Sequence, residues 1–166
     1  MEHYRIYSLN SWQFWTVLPL SIAFIVIVWR LIDRRRLQEL LFFALVWEAV
    51  AQVLDDIGTN FLLWTYPIKV TPLYTIFINN VFYIPLTFML VYQYFRSWRS
   101  YAIASLIYSA IVAFVVEPIH IWADLYLMLN WKLIYSFPIY FALALLIRWF
   151  VEKVRGFQVH ANKNDP

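Results

Sequence analysis

The basic residues of this chain are concentrated in three clusters that apolar, aromatic-rich stretches separate. The clusters are Arg30, Arg34, Arg35 and Arg36; then Arg96 and Arg99; then Arg148, Lys153, Arg155 and Lys163. Only Arg5, Lys69 and Lys132 lie elsewhere. Short loops rich in Lys and Arg stay on the cytoplasmic side of a membrane. The alternation therefore predicts a polytopic membrane protein with the clusters inside and the three single cations outside.

Composition favours the same class of protein. The chain is 63% hydrophobic and 21% aromatic, with 14% charged residues and a mean hydropathy of +0.63. Such a chain has too little polar surface for a soluble globule. We expect no nucleic-acid partner, because no basic stripe or binding motif is present. The absence of cysteine excludes thiol and disulfide chemistry.

The predicted fold class is all-α, a polytopic transmembrane helix bundle of five spans with the N-terminus outside and the C-terminus cytoplasmic. The 166 residues have room for about five spans of roughly 20 residues each. We predict an external N-terminal tail over 1–11, a five-helix transmembrane domain over 12–151 and a loose, polar cytoplasmic tail over 152–166. The expected spans are 12–31, 37 to about 58, 73–95, 101–116 and 131–151.

Two segments of the outer side are expected to lie outside the spans. Residues 61–66 are too short to cross a bilayer, so we expect them to lie along the outer interface. Residues 122–130 should form an outer loop or a short helix. The first span is expected to remain in the protein, because no small-residue cleavage site follows it and Arg30 begins a cluster that stops translocation.

Glycine is nearly absent, with only Gly58 and Gly156 in the chain, and we expect both outside the spans. Membrane helices usually pack through small residues. These helices should instead contact one another through Ala, Ser and large rings. Either aromatic side chains fill the bundle completely, or the wider gaps leave an apolar cavity of ligand size. Pro85 and Pro138 lie about halfway along their spans and predict kinks.

Ionisable and amide side chains gather in the middle and outer half of the predicted bundle. Glu48, Gln52 and Asp55 are spaced i, i+4, i+7 and share one face of the second helix. Glu48 lies roughly 18 Å beyond Arg36, near the midplane, where an isolated charge costs about 2.5–3.5 kcal/mol. We therefore expect its carboxyl group to be protonated, paired or facing water.

These residues predict an outward-facing polar pocket that binds a ligand or a proton. Its members are Glu48, Gln52, Asp55, Asn79, Asn80, Glu117 and His120. The alternative is that Asp55, Asp56 and His120 only cap helix ends in water, which leaves Glu48 as the buried group. Glu117 and His120 have the i, i+3 spacing of a metal-ligand pair, but di-iron bundles need two such pairs and further glutamates. We predict no metal site and no cofactor.

Four aromatic-rich motifs run from the second to the fifth predicted helix. They are Leu54-Asp55-x-x-Gly58, Leu63-Trp64-x-Tyr66-Pro67, Met89-Leu90-Val91-Tyr92-Gln93-Tyr94-Phe95-x-x-Trp98 and Trp131-Lys132-x-Ile134-Tyr135-Ser136-Phe137-Pro138-Ile139-Tyr140. As a set they resemble a family of small polytopic membrane proteins of spore-forming Gram-positive bacteria. The resemblance implies a location in the bacterial cytoplasmic membrane and a role connected with the envelope or the spore. It supplies no catalytic residue.

Three functions remain open at this point. The favoured one is non-enzymatic binding or conduction of a small solute, ion or lipid, with Glu48 as gate or proton acceptor and Asp55 with Glu117 as outer binding groups. The second is an intramembrane enzyme in which Glu48 or Glu117 protonates an alkene of a prenoid or lipid substrate. The third is a structural or assembly subunit. Expected partners are membrane lipids, together with a second copy of the chain or another membrane protein.

No enzyme motif accompanies these candidates. The sequence lacks a P-loop, a Gly-x-Ser-x-Gly nucleophile elbow and a His-Glu-x-x-His zinc motif. We therefore assign no catalytic residue from the sequence.

Overall fold

Helices account for most of the described chain. The computed structural model describes residues 11–67 and 82–163, with side chains described as far as residue 157. Its helices are α1 Trp12–Leu31, α2 Leu37–Asn60, α3 Ile84–Tyr94, α4 Trp98–Ile111, α5 Glu117–Trp122 and α6 Leu133–Lys163. A π-helical segment, Val112–Val116, joins α4 and α5 into one continuous rod. A 3-10 turn over Arg34–Arg36 separates α1 from α2.

Three of these helical stretches are long and apolar enough to cross a membrane. They are Trp12–Leu31, Trp98–Trp122 and Leu133–Phe157, and the first has the limits predicted from the sequence. Their outward faces expose large apolar side chains such as Trp15, Ile107 and Leu146. Lipid accepts such surfaces and water does not. The described part of the chain is therefore helical and contains three candidate membrane spans.

The core between α2 and α3 consists largely of stacked aromatic rings. Phe43 stacks on Tyr92 with 4.7 Å between ring centroids, and Trp47 stacks on Phe88 at 4.0 Å. All four side chains are buried. Stacked pairs contribute about 0.5–1.5 kcal/mol beyond the area that they bury. The prediction that large rings mediate helix contacts is confirmed at this interface.

Helix α4 packs against α6, and small residues of both helices are buried. Ser105 and Ser109 of α4 and Ala144 of α6 are completely buried. The Tyr101 hydroxyl donates a 2.9 Å hydrogen bond to the Ala144 carbonyl across the same interface. These contacts fix the depth of α6 relative to α4.

The helices α2 and α5 end in the same kind of turn. After α2, Leu62 adopts a φ of 55°, and the Leu63 N–H donates to the Gly58 carbonyl at 2.9 Å. After α5, Asp124 adopts a φ of 54°, and the following N–H donates to the His120 carbonyl at 2.9 Å. This pattern is the Schellman motif, which usually carries glycine at the position with positive φ. Neither turn has glycine there: Leu62 adopts this conformation at a cost of roughly 1–2 kcal/mol, whereas aspartate, as at Asp124, is one of the few other residues that tolerate it.

Two short strands follow these turns and pair with each other. In the antiparallel pair, β1 (Trp64–Thr65) and β2 (Leu127–Met128), Trp64 lies opposite Met128. The Leu63 carbonyl extends the pairing by accepting from the N–H groups of Leu129 and Asn130, at 2.9 and 3.0 Å. From the sequence we expected an interfacial segment over residues 61–66 and a loop or short helix over residues 122–130. Strands of two residues have no alternation pattern by which they could be predicted.

Several other boundaries differ from the predictions. Helix α6 continues to Lys163, so the tail expected to be loose from residue 152 is helical as far as the structure describes it. Gly58 lies inside α2 and Gly156 inside α6, whereas both were expected outside the spans. Pro85 lies near the start of α3 as described, and its position halfway along the third predicted span stays a prediction. The part of the third predicted span before residue 82 lies outside the described residues, and its length stays a prediction.

Candidate functional site

A cavity of about 310 Å³, here called the carboxylate cavity, lies between α2, the α4–α5 rod and α6, with β1 in its wall. Most of its lining is apolar or aromatic. The lining residues with a polar side-chain group or a ring N–H are Trp47, Asp55, Trp64, Tyr66, Glu117, His120, Tyr126, Trp131, Ser136 and Tyr140. Three predicted site residues, Asp55, Glu117 and His120, therefore line one cavity.

Asp55 is held by two aromatic donors that follow it in the chain. It lies on α2 and is only 3% exposed. The indole N–H of Trp64 donates to its Oδ1 at 2.9 Å, and the Tyr66 hydroxyl donates to the same oxygen at 2.5 Å. Burial and the Asp55 carboxylate raise the pKa of Tyr66 well above its usual range. The Tyr66 phenol therefore keeps its proton and acts as a donor.

Gly58 makes room for one of these donors. A Cβ atom built at Gly58 would overlap the six-membered ring of the Trp64 indole. The ring therefore packs directly against the backbone of α2. Because Gly58 lies three residues after Asp55, both occupy the same helical face. This close approach brings the indole N–H within reach of the carboxylate.

Glu117 occupies a second polar corner of the cavity. It is the first residue of α5 and is 7% exposed. Ser136 donates to one carboxylate oxygen at 3.0 Å, and Tyr140 donates to the other at 2.8 Å. The Trp131 indole N–H donates to the Ser136 hydroxyl at 3.0 Å. Because Ser136 has one proton to donate, this indole orients the hydroxyl towards Glu117.

The two carboxyl groups belong to one electrostatic unit. The rings of Trp64 and Trp131 meet edge to face, with 5.0 Å between their centroids. Tyr126 lies near both acids: its burial, the Glu117 carboxylate and the Asp55 carboxylate all raise its pKa. Among the described residues, no Lys or Arg lines the cavity. Asp55 and Glu117 are therefore the acidic groups of this cavity, and no Lys or Arg side chain among its described lining residues pairs with them.

The remaining predicted site residues are placed differently. Glu48 is half-buried and does not line the carboxylate cavity. Gln52 does not line it either, and its amide donates to the Asp56 carboxylate at 3.1 Å. Of the three α2 residues that helical spacing placed on one face, Glu48, Gln52 and Asp55, only Asp55 lines the cavity. Asn79 and Asn80 lie outside the described residues.

His120 lines the cavity but takes part in a local contact. Its Nδ1 lies 2.7 Å from the Val116 carbonyl oxygen, which can only accept, so Nδ1 carries the proton. Within the described part of the chain, no group of three His, Asp or Glu side chains is arranged to hold a metal ion. The Glu117 oxygens accept from hydroxyl groups, as described above.

The aromatic and hydroxyl donors that hold the two acids were not predicted from the sequence. Trp64, Tyr66, Ser136 and Tyr140 all occur in the aromatic-rich motifs, but nothing local connects them with Asp55 or Glu117. One available signal was Gly58, since a lone glycine near the end of a helical pattern indicates a special backbone role or a packing contact. Comparisons with protein-family models, curated proteins and solved structures found no match.

Proposed function

We propose that this chain is a non-enzymatic, multi-pass membrane protein that binds a small organic cation with an apolar body in the carboxylate cavity. The observation that carries the proposal is the pairing of two buried acids, Asp55 and Glu117, in one aromatic-walled cavity. Among the described lining residues, no Lys or Arg balances them. Glu48, which we expected to act as a gate, does not line the cavity and has no part in this proposal.

Size and wall chemistry support this ligand class. A volume of about 310 Å³ falls at the lower end of the roughly 300–1,000 Å³ of known ligand pockets. Carboxylates attract a cation strongly where water is excluded. The rings of Trp47, Trp64 and Trp131 line the same space, and each ring face that a cation contacts adds an attraction of about 0.5–2 kcal/mol. An anion would face two carboxylates, and a neutral apolar molecule would leave them without a charged partner.

We further propose that the protein crosses the bacterial cytoplasmic membrane five times, with the carboxylate cavity open to the outer side. Helix α2 has 24 residues, which gives a length of about 36 Å, enough to cross a hydrocarbon core of about 30 Å. Members of all three basic clusters line one other cavity, described below. Their convergence supports a common cytoplasmic side for the clusters. The resemblance to membrane proteins of spore-forming bacteria motivates the choice of membrane.

Single cysteines test the orientation and the charge preference together, because the chain has none of its own. Ser136→Cys places a thiol in the carboxylate cavity. Arg99→Cys is its counterpart on the α4–α5 rod, eighteen residues before Glu117 and so roughly 27 Å away. With intact spheroplasts, a membrane-impermeant trimethylammonium methanethiosulfonate should modify only the Ser136→Cys protein. With everted membranes, whose cytoplasmic side faces the reagent, the same compound should modify the Arg99→Cys protein.

The charge preference is read from a second reagent. A sulfonate-bearing methanethiosulfonate should react with Ser136→Cys at least tenfold more slowly than the cationic one, after correction for their rates with free cysteine. Replacing Asp55 by Asn and Glu117 by Gln should remove that difference. Modification of Ser136→Cys from the cytoplasmic side alone would contradict the orientation, and equal corrected rates would contradict the cation preference.

A further inference from the structure

A second cavity, of about 230 Å³, is lined almost entirely by charged side chains. It is here called the arginine cavity, and its lining residues are Arg36, Tyr92, Arg96, Arg148, Glu152 and Arg155. Its four arginines come from all three basic clusters of the sequence. It lies at the other end of α6 from the carboxylate cavity, since Ser136 and Tyr140 line the first and Arg148 and Arg155 line the second.

One of the arginines that line the arginine cavity, Arg148, is buried and held in place by hydrogen bonds. Arg148 is 3% exposed. It donates to the Arg96 carbonyl at 2.6 Å, to the Phe95 carbonyl at 3.1 Å and to the Glu152 carboxylate at 2.8 Å. Its guanidinium also lies 4.6 Å from the centroid of the Trp98 ring. Arg148 is therefore structural, and it presents a fixed positive charge to the cavity.

The other arginines leave positive charge in excess. Arg36 forms a two-pronged pair with Glu39, at 2.9 and 3.1 Å, and Arg155 reaches the same carboxylate at 3.1 Å. Two acids, Glu39 and Glu152, thus face four guanidinium groups. Arg155 is 58% exposed at its side chain, and the exposed Arg96 side chain has no ion-pair partner within the described part of the chain. Both outer arginines have N–H groups available for an anion.

Two exposed tryptophans lie beside the arginine cavity. Trp98 is 44% exposed and contacts the Arg148 guanidinium, and Trp149 is 53% exposed and follows Arg148 in the chain. Trp and Tyr concentrate where the apolar bilayer meets the headgroups. These side chains favour a position of the cavity at the level of lipid phosphate groups.

We propose that the arginine cavity binds a phosphate-type anion, either the headgroup of an anionic phospholipid or free phosphate. Guanidinium groups match phosphate oxygens with paired, charge-assisted hydrogen bonds. Basic pockets between helices on the cytoplasmic side of a membrane bind anionic lipid headgroups in this way. Arg96 and Arg155 close over the anion from the exposed side, while Arg148 and Arg36 supply charge from within. This proposal does not depend on the ligand of the carboxylate cavity.

Native mass spectrometry of the detergent-solubilised protein tests the proposal with phosphatidylglycerol, phosphatidylcholine and inorganic phosphate as separate titrants. The test variant is Arg96→Gln with Arg155→Gln. The matched control is Arg34→Gln with Arg99→Gln, which removes the same charge from exposed positions that do not line the cavity. We expect one saturable phosphatidylglycerol site, weakened about tenfold or more in the test variant and unchanged in the control. Phosphatidylcholine should show no such site.

The titrants distinguish the two sources of the anion. Displacement of phosphatidylglycerol by millimolar phosphate, or phosphate binding alone with the same dependence on Arg96 and Arg155, would support the anion site and identify a soluble ligand. Equal weakening in the test and control variants would overturn the proposal, because only general surface charge would then matter. Absence of any saturable binding of either phosphate species would also overturn it.

Discussion

Replacing Gly58 by alanine is expected to destabilise the protein by about 1–3 kcal/mol and to weaken cation binding in the carboxylate cavity more than tenfold. The added methyl group would overlap the Trp64 indole, which must then move away from α2. Its N–H would no longer reach the Asp55 carboxylate, and one wall of the cavity would shift. A loss of stability would be diagnostic of this overlap, because alanine in a helix is otherwise about 1 kcal/mol more favourable than glycine. Thermal unfolding in detergent and a cation titration measure the two effects.

The second glycine provides a matched control within the same protein. Gly156 also lies in a helix, and a Cβ atom built there meets no atom within 4 Å. Gly156→Ala should therefore leave binding unchanged and increase stability by up to about 1 kcal/mol. Combining Gly58→Ala with Trp64→Ala should cost less than the sum of the two single changes, because the overlap disappears with the ring. Additive effects would contradict the contact between Gly58 and Trp64.

Replacing Arg148 by methionine is expected to lower the free energy of unfolding by about 1–3 kcal/mol. The change removes the donor that three backbone carbonyls share, those of Phe95, Arg96 and Ser97. The Glu152 carboxylate would lose the Arg148 guanidinium as a donor and keep the Trp98 indole N–H. Arg148→Lys should lose part of this stability, since a single ammonium group cannot reach the same set of acceptors.

Circular dichroism during thermal or denaturant unfolding measures the effect of the Arg148 variants. Arg99→Met is the control, because it removes an exposed arginine from the same end of the bundle. We expect it to change the free energy of unfolding by less than about 0.5 kcal/mol. If Arg148→Met were no less stable than Arg99→Met, the role assigned to Arg148 in holding the α3–α4 turn would be wrong.

Sequence patterns predicted the helices of this protein better than their ends. Helix α1 has the predicted limits because Ser11 accepts from the Phe14 N–H as an N-cap and the arginine-rich turn follows the apolar run. The turn after α2 was not predictable, since Leu62 adopts a positive φ that only a glycine or asparagine would have signalled. Similarly, the polar composition after residue 151 suggested a loose tail, whereas α6 continues without interruption.

The two acids of the candidate site could be predicted from the sequence, but the side chains that donate hydrogen bonds to them could not. Asp55 and Glu117 stand out in an apolar sequence because a buried carboxylate is expensive. Helical spacing alone also selected Glu48 and Gln52, yet only Asp55 of the three lines the cavity. The cavity depends on contacts between Trp64 and Asp55, nine residues apart, and between Ser136 and Glu117, nineteen apart. Such tertiary contacts leave no periodic signal in the sequence.

Calorimetric titration with benzyltrimethylammonium, and with neopentylbenzene as its neutral isostere, tests the central claim most directly. We predict saturable binding of the cation by the wild-type protein, at least tenfold tighter than binding of the neutral analogue. Replacing Asp55 by Asn and Glu117 by Gln should weaken binding of the cation and leave binding of the neutral analogue unchanged. If the cation bound no better than its isostere, or bound equally well after both acids were neutralised, the carboxylate cavity would not be a cation site.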